Sequence, residues 1–244
     1  MIKDPVLLTK TLTDFTKKNI ITFKKQGVII HLDGTLMSVV NIALAKLLAE
    51  PFKLKVITCV FNHNKLYLAH ILSLAKDLGV ETEIKDLSKD LEQLSIYKNS
   101  GQKIDLEIAT RKRLIDLAMN LDADKESLLP ISNQSYSQWC IEYPHKNYQT
   151  LDQLHTLNRL FFSEVQQLAK HLGTSLITIE REPSHYLYRN YNDKSILEFS
   201  YDDLESSLRG DHSKMDPTIR DRLIPDNRDK YLCPTIQRPS NLLS

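Results

Sequence analysis

The stretch Val28–Val40 constrains this chain more than any other. The apolar residues Val28, Ile29 and Ile30 run into a short polar loop holding Gly34. Val39, Val40, Ile42, Ala43, Ala45, Leu47 and Leu48 follow at once with helical spacing. That order predicts a buried strand, a tight turn and a helix N-terminus. Such an arrangement aims backbone N–H groups and a helix dipole at an anion such as phosphate.

The pattern repeats along the chain. Pro5 to Lys25 reads as an amphipathic lead-in helix, with the strand at Gly27–His31 and a helix to about Glu50 behind it. Pro51 breaks that helix, and Leu54–Phe61 reads as a second buried strand. The next helix carries Leu66, Leu68, Ile71, Leu72, Leu74, Ala75 and Leu78 and stops at Gly79. Val80–Ile84 reads as a third strand, Asp86–Gly101 as a loop or loose helix, and Ile104–Asn120 as a basic-sided helix. Ser127–Ile131 reads as a fourth strand, and 140–155 has no clear period. A helix over Leu160–Leu172 ends at Gly173, Pro183–Asp193 reads as a loop, and Ser200 opens a short helix. Alternating strands and helices with short links imply the α/β class: one domain with a doubly wound parallel sheet and helices on both faces. The domain is expected over 1–210, with residues 1–26 as the lead-in and 211–244 as a mobile polar tail.

Composition narrows the function classes. A net charge of +1 over 244 residues argues against a dedicated nucleic-acid surface. Cys59, Cys140 and Cys233 are widely spaced and form no C-x-x-C pair, so neither a disulfide framework nor a structural zinc site is indicated. No apolar run approaches the ~18 residues of a membrane span, and Met-Ile-Lys-Asp-Pro is not a signal peptide, so a cytoplasmic location is expected. Six glycines are few for an enzyme built on phosphate-cradling loops. His31, His70, His145, His155, His171, His185 and His212 show no metal-ligand spacing.

Residues 31–38, His-Leu-Asp-Gly-Thr-Leu-Met-Ser, resemble the Gly-Leu-Ser-Gly-Gly-x-Asp-Ser loop of N-type ATP pyrophosphatases. Three further anchors resemble one branch of them, ammonia-dependent NAD synthetase. Arg111-Lys112-Arg113-Leu114 with Pro130 to Ser135 is similar to its Arg-x-Arg-Met helix and Gly-x-Gly-Asn-Lys-Ser-Glu turn. Phe162-Ser163-Glu164-Val165 through Gly173 is similar to Lys-Thr-Glu-Val…Leu-Ala-x-x-Leu-Gly. Glu182-Pro183-Ser184 through Leu204 is similar to Pro-Pro-Ser-Ala-x-Leu…Val-Ser-Tyr-Asp-Glu-Leu. A fainter likeness joins Asp229–Pro234 to His-Lys-Arg-x-x-Pro, so the resemblance spans about 20–235. It implies ATP and magnesium as cofactors, adenylation of deamido-NAD, displacement of AMP by ammonia, and a homodimer.

The resemblance places the nucleotide site, in vestigial form, at Asp33, Gly34, Thr35, Ser38, Arg111, Arg113 and Asn133. His63 joins them as a polar residue at the end of the second strand, where open parallel sheets place ligands. The resemblance also implies damage. Asp33 replaces a serine and puts negative charge where phosphate oxygens would lie, unless the side chain turns away. At ~4 Å and an effective dielectric near 20, two like unit charges repel by roughly 4 kcal/mol. Thr35 adds a Cβ where the family has glycine, and Met37 offers magnesium no hard oxygen, so the metal site is expected to be lost. Tyr136 replaces a metal-linked glutamate, Phe162 a lysine near the phosphates, and Asp229-Lys230-Tyr231 the terminal basic triplet.

Simpler readings stand beside each residue. Gly34 also reads as a plain turn glycine, Ser38 as a helix cap, Asn133 as an Asx-turn residue and His63 as a turn residue. Arg111 and Arg113 also read as a solvated helix face, and Tyr186, Tyr188 and Tyr191 as a base-stacking cluster or a dimer contact. Two functions compete: a synthetase with a drifted site, and a non-catalytic homodimeric relative that binds a nucleotide or regulates an active paralogue. A third, a tRNA-thiolating enzyme, is disfavoured by the absence of C-x-x-C pairs and of a basic domain.

Overall fold

Val28, Ile30 and Leu32 point to one side of the first strand and Ile29 to the other, and all four are fully buried. A strand covered on both faces is the mark of a parallel sheet between helix layers. In the computed structural model, which describes residues 2–61, 65–94, 103–143, 154–184, 192–210 and 217–223, that sheet has four parallel strands. They are β1 (Gly27–His31), β2 (Lys53–Val60), β3 (Glu83–Asp86) and β4 (Leu128–Ile131), in the order β3-β2-β1-β4. β1 is central, pairing Ile30 with Val56 on one side and with Ile131 on the other.

The lead-in helix α1 (Pro5–Thr22) starts with Pro5 behind Asp4, whose carboxylate accepts the Leu7 N–H at 2.8 Å. With α2 (Leu36–Lys46) and α3 (Lys65–Leu78) it covers one face, burying Ile20, Val39, Ile42, Ile71 and Leu74 against Val28, Ile30 and Val56. The short α4 (Ser88–Gln93) precedes α5 (Lys103–Glu126), which covers the other face with Ile108, Ile115, Met119 and Ala123 on Ile29, Ile57 and Cys59. Helices on both faces of a parallel sheet are therefore present, as expected. A third cluster lies beyond α2, built by α7 (Phe162–His171), α8 (Leu176–Glu180), α9 (Asp193–Leu197), α10 (Tyr201–Leu208) and α11 (Pro217–Arg222), with Ile141 and Tyr143 behind the short α6 (Tyr136–Trp139). Ile219 of α11, in the stretch read as tail, is fully buried in that cluster.

Several boundaries differ from the sequence reading. β3 begins at Glu83 because Val80 is spent on the end of α3. Its N–H donates to the Ala75 carbonyl at 3.0 Å behind Gly79 (φ 60°), a Schellman-type closure. α2 stops at Lys46, and Ala49 adopts φ 58° before Pro51. α5 runs six residues past Asn120 because its last turns carry Asp122 and Glu126 to lysines of the sheet. Lys55 lies 2.9 Å from Glu83, 2.9 Å from Asp122 and 2.5 Å from Glu126, and Lys85 lies 2.9 Å from Asp122.

Candidate functional site

Ligands of open parallel sheets sit outside the carboxyl ends of the strands. The loop 32–35 lies at the carboxyl end of β1 and leads directly into α2. Gly34 takes φ 82°, a left-handed conformation that suits glycine, so it makes the turn. Thr35 caps α2: its hydroxyl accepts the Ser38 N–H at 3.2 Å, and Ser38 Oγ donates back to the Thr35 carbonyl at 2.8 Å. Ser38 is fully buried in that exchange.

Asp33 turns into its own loop. Oδ1 accepts the Thr35 N–H at 2.9 Å and the Thr35 hydroxyl at 2.6 Å, and Oδ2 accepts Asn133 Nδ2 at 3.1 Å. The residue is 8% exposed. Asn133 follows β4 and makes a bridge rather than an Asx turn. Its amide also donates to the His31 carbonyl at 2.6 Å, and its Oδ1 accepts Asn41 Nδ2 at 3.0 Å. Asn41 extends the chain of bonds, donating to the Ser132 carbonyl at 3.1 Å and accepting the Thr156 hydroxyl at 2.5 Å. Asp33, Thr35, Ser38 and Asn133, all picked from sequence, thus converge at one end of the sheet.

The two arginines part from each other. Arg111 is paired with Glu107 one turn back and lies 5.5 Å from the Phe61 ring centroid, at the end of β2. Arg113 is exposed on a different side of α5. His63, the tyrosines 186, 188 and 191, and residues 229–231 lie outside the described residues.

Met37, on the first turn of α2, is 1% exposed and packed in the third hydrophobic cluster with Phe162, Val165 and Leu204. Phe162 stacks on Tyr201 with centroids 4.8 Å apart and planes at 15°, and Tyr136 meets Phe161 edge-on at 5.0 Å. Three of the positions where the resemblance implies magnesium or phosphate chemistry, 37, 136 and 162, are therefore occupied by apolar or aromatic side chains in packed contacts. Among the described residues no group of three or more His, Cys, Asp or Glu is placed to hold a metal ion.

In front of the loop is a cleft of about 20 Å³, lined among others by Gly34, Thr35, Met37, Arg181, Ser184 and Asp193. That is room for about one water. Asp193, which sequence reasoning missed, accepts the Tyr143 hydroxyl at 3.0 Å and the Tyr201 hydroxyl at 2.8 Å while 2% exposed. Its position in a loop-like stretch without periodicity gave no signal. A wider groove of about 570 Å³ lies at the opposite edge, along the amino ends of β2, β3 and β4. The cleft by the loop is the better candidate, because it is where the turn and the α2 N-terminus point.

His31 is the other residue the sequence reading passed over. Its Nε2 accepts the Cys59 N–H at 3.1 Å, just beyond the last β1–β2 pairing of His31 with Ile57. Burial pushes the imidazole down to about 4, against a smaller upward pull from Asp33.

Comparison with known proteins agrees with the fold. The NAD synthase family model matches residues 8–240. NH(3)-dependent NAD(+) synthetase of Campylobacter jejuni is 25% identical over 202 residues, 83% of this chain and 82% of that protein. The Methanocaldococcus jannaschii protein of the same name is 26% identical over 208 residues, covering 83% and 80%. NMN synthetase from Francisella tularensis superposes with a TM-score of 0.77 over 90% of this chain and 91% of its own, at 18% identity. The Campylobacter jejuni NAD synthetase structure with nitrate gives 0.69 over 93% and 96%, at 19% identity. The two structures bear on the fold alone; the family match over nearly the whole length decides membership. The chain belongs to the NAD synthase family.

Proposed function

We propose that this family member is catalytically impaired in the ATP-dependent amidation of deamido-NAD by ammonia. One observation carries the reading: Met37 stands where the resemblance puts the magnesium aspartate, and it is sealed in apolar packing at 1% exposure. A thioether is a poor ligand for magnesium, which takes hard oxygen donors. The side chains at this position do not fit the metal, so no reaction step is assigned through it. Phe162, held against Tyr201, supplies no cation to phosphate oxygens, and Tyr136, edge-on to Phe161, supplies no carboxylate.

The second reading, a homodimeric non-catalytic relative that binds a nucleotide or regulates an active synthetase, draws on the intact core. The sheet, the α2 N-terminus and the third cluster are fully packed even though the chemistry-bearing positions have changed. Among the described residues no helix is long and apolar enough to cross a membrane, and a cytoplasmic location belongs to the same reading.

The test is NAD formation from deamido-NAD, ATP, magnesium and ammonia, beside an active family member. Turnover within about tenfold of the ~10 s⁻¹ common among enzymes overturns the impaired reading. Absence of turnover in a folded chain supports it, and sedimentation of the same sample tests the dimer.

A further inference from the structure

We propose that Asp33 is the loop's resident anion, an autoinhibitory contact that closes the turn before α2 against phosphate-bearing ligands. The inference deepens the impaired reading and rests on it. A turn that leads into a helix offers an incoming anion its backbone N–H groups and nearby hydroxyls. Here the Thr35 N–H and the Thr35 hydroxyl both go to Asp33 Oδ1, at 2.9 and 2.6 Å. The second carboxylate oxygen takes a bond from Asn133 at 3.1 Å, so the side chain is held from two elements rather than one. Asn133 is itself fixed by the His31 carbonyl and by Asn41, which leaves the carboxylate little freedom to swing out. An entering phosphate would have to displace a bonded carboxylate and then sit beside its charge.

A second contact of the same kind supports the inference. The Cys59 N–H lies past the end of the β1–β2 ladder, at the edge where parallel sheets take ligands. It is taken by His31 Nε2 at 3.1 Å, a ring nitrogen of the chain itself. Two backbone N–H groups near the carboxyl ends of β1 and β2 are thus satisfied from within, one by a carboxylate and one by a heterocycle. The small volume left in the cleft, about 20 Å³, agrees with a turn already filled.

The experiment uses the full chain, metal-free, titrated with inorganic pyrophosphate in a calorimeter. The wild-type chain is expected to show no binding at about 10 mM, a ΔG weaker than ~3 kcal/mol. Asp33→Ser is expected to gain binding at least about tenfold tighter than that limit, and Asp33→Asn to fall between them. Circular dichroism checks that each variant is folded. Should Asp33→Ser not fold, the wild-type Thr35 amide resonance serves: unmoved by pyrophosphate it supports the contact, shifted in a saturable way it overturns it. A folded Asp33→Ser that takes up no pyrophosphate also overturns the contact, yet leaves the impaired reading intact. That reading falls on NAD formation by the wild-type chain, a separate measurement.

Discussion

Asp33 and Asn133, a hundred residues apart in the chain, meet at 3.1 Å between Oδ2 and Nδ2. The bond ties the turn after β1 to the turn after β4, across the carboxyl edge of the sheet. Asn41 on α2 and Thr156 in the segment beside β4 continue it. Four residues from four stretches of chain form one buried polar network, which fixes the loop geometry only while every member is satisfied.

Replacing Asn133 by alanine should expose the dependence. The change removes one partner each from Asp33 Oδ2, the His31 carbonyl and Asn41 Nδ2, the last of which keeps the Ser132 carbonyl. Leaving buried polar groups without partners costs about 1–3 kcal/mol. Urea unfolding of Asn133→Ala is expected to show a loss in that range. A loss below about 0.5 kcal/mol, the size of an ordinary surface change, would mean that the network is not cooperative.

The His31 imidazole makes stability depend on pH. Its pKa falls from 6.5 to about 4 on folding, chiefly through burial. Between those values the unfolded chain binds the proton and the native chain does not, so stability rises with pH across that window. Acidification from 6.5 to 4 therefore costs about 3 kcal/mol through this one residue, and below about 4 the loss levels off. The difference between wild-type and His31→Gln unfolding free energies, followed from pH 7 to pH 4, should carry that slope. Parallel curves for the two proteins would refute it.

The alternation of strands and helices was legible because Val28–Ile30, Leu54–Val60 and the α3 leucines follow simple periods tied to burial. The loop position was legible for the same reason: Gly34 and the helix behind it mark a strand-to-helix turn wherever they stand. The direction of Asp33 was not, since it is decided by Asn133 and Thr35 together, and no local pattern links residues a hundred positions apart. The divergence of Arg111 and Arg113 was equally hidden, because a two-residue step on a helix separates side chains by about 200°. α8 and α9, five residues each, are too short to show a period, and their ends are set by the Ser175 and Asn192 caps.

Gly27 is required by close approach rather than by an unusual backbone angle. A Cβ there would lie 1.9 Å from the Lys53 carbonyl oxygen, where β1 and β2 begin to pair. That oxygen is backbone, so relief requires the strands to part at their first register position. Gly27→Ala is expected to lose about 3 kcal/mol, the upper part of the overpacking range. A melting temperature within about 2 °C of wild type, less than ~1 kcal/mol for a chain of this size, would show that the strands can separate freely here.

Met37 tests whether the magnesium chemistry is one substitution away. Its side chain is 1% exposed and packed among Phe162, Val165 and Leu204. Met37→Asp would bury a carboxylate there, which without a partner costs several kcal/mol or forces the group to stay protonated. The loss, about 3 kcal/mol or more, should lower the melting temperature by roughly 6–12 °C. If the remaining ligands were in place, magnesium would bind the new carboxylate and return stability by mass action. The packing argues against this, because the ring of Phe162 is held 4.8 Å from that of Tyr201 beside the same position. Magnesium at about 100 times a millimolar dissociation constant would return ~2.7 kcal/mol; the expected recovery for Met37→Asp is none. Recovery of half the lost melting temperature would reveal a metal site complete except for Met37, and would remove the main support for the proposed impairment.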